Sequence, residues 1–292
     1  MSVEVWAMLG AGAATLVAGL ILVRPRLRAA SGPGRLIVLG PVFEAVALAI
    51  FAAEHATAAR DLMPIVPHWL PGPLFWTYFI GAALLAAALS FIAWRCVRWS
   101  ASLLALFFFL IVSIVDLPNL ASQFHDRFFW ILTVRETAFG SGALVLAGSV
   151  WPRSGSTGTL LMRIGRTILA PIFVFYGAVH FLFPHNVPGV PLEKLIPSWV
   201  PAPLLLSWVV GIALILAGIG LLIPSAVRIA AAGSGAVLVL LTIFFYGLIL
   251  LIELHTPLAV EGINYVGDTL LFAATALLAG SGSQPSNLRL NS

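Results

Sequence analysis

The chain has 292 residues, of which 61% are hydrophobic and only 9% charged, with a formal net charge of +4. A soluble globular chain carries about 25% charged residues, so a soluble domain is excluded, and a mean hydropathy of +1.06 marks an integral membrane protein. Cys96 is the only cysteine, which excludes an intramolecular disulfide, a Cys-x-x-Cys redox pair and a cysteine-ligated iron–sulfur or zinc site.

Nine apolar runs follow one another, at 5–23, 36–54, 74–94, 101–116, 131–150, 166–184, 204–223, 229–252 and 264–281. Each is close to the roughly 20 residues that cross a bilayer. The first has no basic stretch before it, carries Glu4 there, and is followed by Arg24, Arg26, Arg28 and Arg35. It reads as a true span and not as a removed leader. Basic residues alternate with the loops. Arg24, Arg26, Arg28, Arg35, Arg95, Arg98, Arg153, Arg163, Arg166, Arg228 and Arg289 fall on one side, and Arg60, Arg127 and Lys194 on the other, with Arg135 near a span edge. By the positive-inside rule the N-terminus is outside and the C-terminus cytoplasmic, in a plasma (inner) membrane. The same rule accounts for the positive charge without nucleic acid.

A proline-rich stretch appears twice. Pro67, Trp69, Pro71 and Pro73 fall on Pro197, Trp199, Pro201 and Pro203 at an offset of 130. That offset also carries Pro41 to Pro171, Phe51 to Phe181, His55 to His185, Leu62 to Leu192 and Gly81 to Gly211. The expectation is an all-α fold of two parallel four-helix repeats, 36–152 and 166–284. A leading span and basic loop (1–35), a cytoplasmic linker (153–165) and a tail (285–292) complete the chain. An even number of spans per copy gives parallel rather than inverted repeats. Further along, Asp116 is matched with Glu253 and Glu136-Thr137 with Asp268-Thr269. Proline stiffens a loop and removes donors, and tryptophan prefers the headgroup level. The loops of Pro67, Trp69, Pro71 and of Pro197, Trp199, Pro201 are therefore expected either to fold back as lids or to serve as tight interfacial connectors.

The polar residues inside apolar runs are the candidate site. Ionisable groups there cost roughly 2.5–3.5 kcal/mol at a helix centre. Glu44 lies mid-span, on one helical stripe with Leu48, Phe51 and His55. It reads either as a proton or ligand group or as a neutral carboxyl bonded to a neighbouring helix. His180 and His185 read as satisfied interfacial histidines or, less simply, as a haem-ligating pair on different helix faces. The acids at the outer ends group with histidines as His55, Asp116 and Glu136 in the first copy and His185, Glu253 and Asp268 in the second. Each set suits a cation or a polar headgroup, or marks helix starts and the water boundary.

Gly177-Ala-Val-His180-Phe181-x-x-Pro184 followed by Ile196-Pro197-Ser-Trp199-Val-Pro201-Ala-Pro203 resembles the DoxX-like membrane proteins, as do Glu54-His55, Val66-Pro67-His-Trp69-Leu-Pro71-Gly-Pro73 and Asp116-Leu-Pro118 in the first copy. The resemblance spans about 40–284. It departs where related proteins often carry a glutamate after the Pro-Trp-Pro loop, since Gly211-Ile-Ala-Leu-Ile contains none. The family takes its name from a membrane subunit of a thiosulfate:quinone oxidoreductase. The resemblance implies a non-catalytic subunit that docks an oxidoreductase or holds a quinone or lipid. A small-molecule or lipid transporter, and an enzyme built on the outer His/carboxylate clusters, are the alternatives.

Overall fold

The structure is a computed structural model and describes residues 1–152, 156–189 and 194–282. Leu192, Arg153, Arg289 and the tail 285–292 lie outside the described residues, as does the start of the expected linker at 153–155. Among the described residues there is no strand, and nine helices are long and apolar enough to cross a membrane. They are α1 (Val3–Ala29), α2 (Gly34–Thr57), α3 (Pro73–Ala93), α4 (Val97–Ser122), α5 (Arg127–Ser149), α6 (Thr157–Leu182), α7 (Pro203–Leu222), α8 (Val227–Glu253) and α9 (Ala259–Ala279). The stretch expected as a linker at 153–165 is helical from Thr157, because Gly158 packs against Gly148 and gives the helix something to rest on.

Local signals set the helix ends. Ser2 Oγ accepts from Val5 N at 3.3 Å and Asp126 Oδ1 from Phe128 N at 2.9 Å, capping α1 and α5. Pro73 and Pro203 open α3 and α7 at the first helical position, where a missing N–H costs nothing. The residue before each, Gly72 (φ 71°) or Ala202 (φ 47°), is left-handed. At the other end of the molecule, half-buried Arg166 donates from Nε to Ala279 O at 2.8 Å and from Nη2 to Ser281 O at 2.5 Å. A cation there complements the orphan carbonyls and the dipole of the α9 C-terminus.

Helices α2 to α5 and α6 to α9 form two four-helix units. Each helix packs on the next, and the last helix of each unit packs on the first helix of the other: α5 on α6, and α9 on α2. The ring is bridged by α5 against α9, while α1 lies outside against α2, α3 and α9. In its most apolar stretch α9 is 78% buried and α1 only 22%. The units therefore share one core instead of closing two separate ones. Phe139, Phe173 and Tyr176 meet Phe272 of α9 at this centre.

Directions follow from the contacts. In α2 and α9, Phe51 packs at Gly267 and Gly40 at Leu277 and Leu278, so the two are antiparallel. In α5 and α9, Arg135 meets Asp268 and Gly142 meets Thr275, so these run parallel. In α5 and α6, Ser141 and Val145 lie at Gly165 and Gly148 at Gly158, again antiparallel. Hence α2 and α6 point the same way, as parallel units require.

The register between the units is not a uniform 130. It holds for the Pro-Trp loops, for α3 and α7, and for α4 and α8, including a π-helical turn at Val112–Asp116 and again at Thr242–Tyr246. In the first helix pair the register is 125. Helix α2 ends at Thr57 and α6 at Leu182. A Cβ on Gly81 would meet His55 Cβ at 2.7 Å and Ala52 O at 3.4 Å; one on Gly211 would meet His180 Cβ and Gly177 O, both at 3.0 Å. Gly40 meets Leu277 as Gly165 meets Val145, and Ile37 meets Gly280 as Met162 meets Gly148. His55 is thus the counterpart of His180, not of His185, and Glu44 that of Leu169, not Val174. Five extra residues in the loop after α6 absorb the difference. The π-turns likewise pair Asp116 with Tyr246, not with Glu253.

Candidate functional site

The end of the molecule that carries Trp69 and Trp199 holds a charged centre at the seam of the two units. Arg135 lies about two turns into α5, not at its edge. Its Nη1 donates to Asp268 Oδ2 of α9 at 2.6 Å and its Nη2 to Glu136 Oε1 at 3.3 Å. All three side chains are 14–19% exposed. The π-turn of α4 delivers Asp116 (2% exposed) into the field of Arg135 and Glu136. A π-turn inserts one residue into the helical ladder and re-aims the side chains after it, and such turns recur at functional sites. Beside this centre Asn264 Nδ2 donates to Glu54 Oε1 at 2.8 Å, and Glu54 also feels Asp268. Tyr176 closes the seam from α6, its hydroxyl donating to Ile131 O at 2.8 Å.

One arginine thus faces three acids, Asp116, Glu136 and Asp268, with Glu54 next to Asp268. The pairing with Asp268 offsets the cost of taking both charges from water, and low polarity around the pair strengthens it. Three polar atoms of the centre stay unpartnered: Arg135 Nε, Asp116 Oδ2 and Asn264 Oδ1.

The expected arrangement, one acid–histidine set per unit, is overturned here. Asp268 leaves the second set to pair with Arg135, because α9 lies parallel to α5 across the seam. His185 is exposed on the loop, where its carbonyl accepts from Ile196 N at 2.9 Å. Glu253 belongs to a different contact. Lys194 Nζ donates to Glu253 Oε1 at 2.5 Å and to Glu261 Oε1 at 3.2 Å, and sits 4.9 Å from the Tyr265 ring centroid. Burial works against the Lys194 ammonium, but the two carboxylates outweigh it and raise its pKa above the ordinary value. Tyr246, the counterpart of Asp116, stacks on Tyr265 and donates to Pro188 O at 2.6 Å. The same π-turn therefore supplies an acid to the charged centre in one unit and a loop anchor in the other. Among the described residues no group of three His, Cys, Asp or Glu is placed to hold a metal ion.

Glu44, His55 and His180 do not come together. Glu44 is 1% exposed. It lies between Gly40 and Phe51 on the face of α2 that meets α9, about 10 Å deeper than the level of Phe51 and Gly267. Its Oε2 has no hydrogen-bond partner. His55 sits three turns away and donates from Nδ1 to Phe51 O at 2.8 Å. His180 donates from Nδ1 to Tyr176 O at 2.6 Å and accepts at Nε2 from Gly189 N at 2.8 Å. Both of its nitrogens are committed, which fixes a neutral tautomer and leaves no lone pair for haem.

The Pro-Trp loops also differ from the lid expectation. Leu70 N donates to Pro67 O at 2.9 Å and Val200 N to Pro197 O at 3.1 Å, the same turn in each. That turn swings Trp69 (68% exposed) and Trp199 (42%) outward. Only Val200 is buried, and Trp199 touches the edge of the bundle at Phe245, 6.1 Å between ring centroids. Pro71 and Pro201 are exposed like the tryptophans.

Sequence reasoning missed Arg135 as the centre of the site, together with Glu54, Asn264, Tyr176 and Lys194. The available signal was Arg135 itself, a cation well inside an apolar run with Glu136 next to it. Comparison of the chain with protein-family models, curated proteins and solved structures finds no match, so the site stands on its own geometry.

Proposed function

We propose that this chain is a DoxX-like, non-catalytic membrane subunit that arose by tandem duplication. In this reading it sits in the plasma membrane with its N-terminus outside and its C-terminus cytoplasmic. It docks a partner oxidoreductase and holds the polar head of a quinone or lipid at the charged seam. The observation that carries the ligand part is the pair of unpartnered buried atoms, the donor Arg135 Nε and the acceptor Asp116 Oδ2, in one centre. Buried polar groups left without partners cost about 1–3 kcal/mol each, and a ligand bearing both an acceptor and a donor satisfies the two at once. A quinone supplies carbonyl acceptors, and its reduced form supplies hydroxyl donors. In the reduced form a hydroxyl oxygen would accept from Arg135 Nε while a hydroxyl hydrogen is donated to Asp116 Oδ2.

The test is mass spectrometry of what travels with the protein purified in native lipid discs. A stoichiometric quinone or lipid that is lost in Arg135→Gln, with the fold retained, supports the reading. An empty wild-type extract refutes the ligand part.

The surplus of acids over Arg135 favours a second reading, carriage of a proton or small cation across the seam. Flux in proteoliposomes that disappears in Asp116→Asn would favour it over the first.

A further inference from the structure

Helix α1 has a definite seat at one seam between the units. At the Trp end, Val5 and Met8 pack with Val46 and Ile50 of α2 and with Ala259 and Ile263 of α9. Further along, Gly12 and Gly19 let the backbones approach, since a Cβ on either would strike Ile50 or Val42. The seat is the trough between α2 and α9.

The same trough exists at the other seam between the units, between α6 and α5. With α6 in register with α2 at 125, Ile50, Glu54 and Thr57 of α2 correspond to Phe175, Val179 and Leu182 of α6. Ala259 and Gly262 of α9 correspond to Arg127 and Trp130 of α5. These residues of α5 and α6 line an open groove of about 460 Å³. Among the described residues no helix of this chain lies in it: Leu182 is 71% and Phe183 39% exposed.

We infer that this groove seats one transmembrane helix of a partner subunit, in the place that α1 takes at the α2–α9 seam. The inference rests on the reading of the chain as a membrane subunit and names the surface that such a subunit would use. A helix is the occupant because the twin trough, built from equivalent helices, is filled by one. The two seats differ in charge. Arg127 stands where the α2–α9 seat has Ala259, with His125 at the same rim and the Arg127 guanidinium 4.3 Å from the Phe183 ring centroid. The partner helix should present small residues along the trough, where α1 has Gly12 and Gly19.

The test places a photo-cross-linking benzoylphenylalanine at Leu182 or Phe183, with Leu205 of α7 (60% exposed) as the control. The protein is irradiated in its own membranes. The expected result is a discrete protein adduct from both groove positions and none from Leu205. The adduct should map to an apolar span of a different polypeptide. A chain with the probe at Leu182 and Phe183→Trp filling the groove should lose the adduct while still running as a monodisperse species. Adducts of lipid mass only, adducts to another copy of this chain, equal labelling at Leu205, or no adduct would each overturn the inference. Native mass spectrometry of the same membranes separates the two levels. A stoichiometric partner without a groove adduct overturns the groove and leaves the subunit reading, whereas no partner at all overturns both.

Discussion

Arg135 of the first unit donates to Asp268 of the second at 2.6 Å, and this ion pair sits where α5 and α9 run side by side. It joins the two units at the level of the π-turn that carries Asp116. Removing one partner of a buried pair costs about 3–5 kcal/mol, because the other charge is left uncompensated. Arg135→Met and Asp268→Leu should each lower stability by about that amount. The double variant should lose clearly less than the sum, as read from unfolding in detergent. Strict additivity would mean that the pair does not hold the seam.

Glu44 offers a contrasting case, since its Oε2 is buried without a partner. Glu44→Leu removes an unsatisfied polar group and should raise stability by about 1–3 kcal/mol. Glu44→Gln keeps the penalty and should gain nothing. Thermal unfolding of the two variants checks this, and a large loss in Glu44→Leu would reveal a partner for the carboxyl.

His180 and His55 are structural counterparts with different duties. His180→Phe leaves Gly189 N without its acceptor and should cost about 1–3 kcal/mol. Hydrogen exchange at the Gly189 amide should rise with it. His55→Phe removes the bond to Phe51 and should disturb its loop less. Equal effects would contradict the assignment of His180 as the loop anchor.

Lys194 ties the loop after α6 to α8 and α9 through Glu253 and Glu261. Its folded pKa is raised, so its contribution is fully present below its unfolded value near pH 10.4 and is lost as pH rises through the folded pKa. The loop should therefore loosen in alkali. Lys194→Met should loosen it already at neutral pH, by about 1 kcal/mol or less for a partly exposed pair. Exchange of the Val187 and Ile196 amides, which bond to Lys194 O and His185 O, reports it. Unchanged exchange in the variant would show that the pair bears no load.

Hydropathy alone marked out nine spans, since a bilayer demands about 20 apolar residues per crossing whatever their neighbours. The paired turns around Trp69 and Trp199 were legible too, because proline restricts the backbone at the residue itself. The even span count also predicted units that run the same way. The register of α2 against α6 was not legible. Leucine, valine and alanine replace one another freely along an apolar helix, so proline identities in the loops drew the alignment to 130 while close contacts at Gly40, Gly165, Gly81 and Gly211 set it at 125. Nor could the chain order foretell that Arg135 faces Asp268, or that Asp116 joins them while its counterpart Tyr246 holds a loop. Those partners come from helices distant in sequence, and only the packing of α5 against α9 and the insertion of a π-turn bring them to one place.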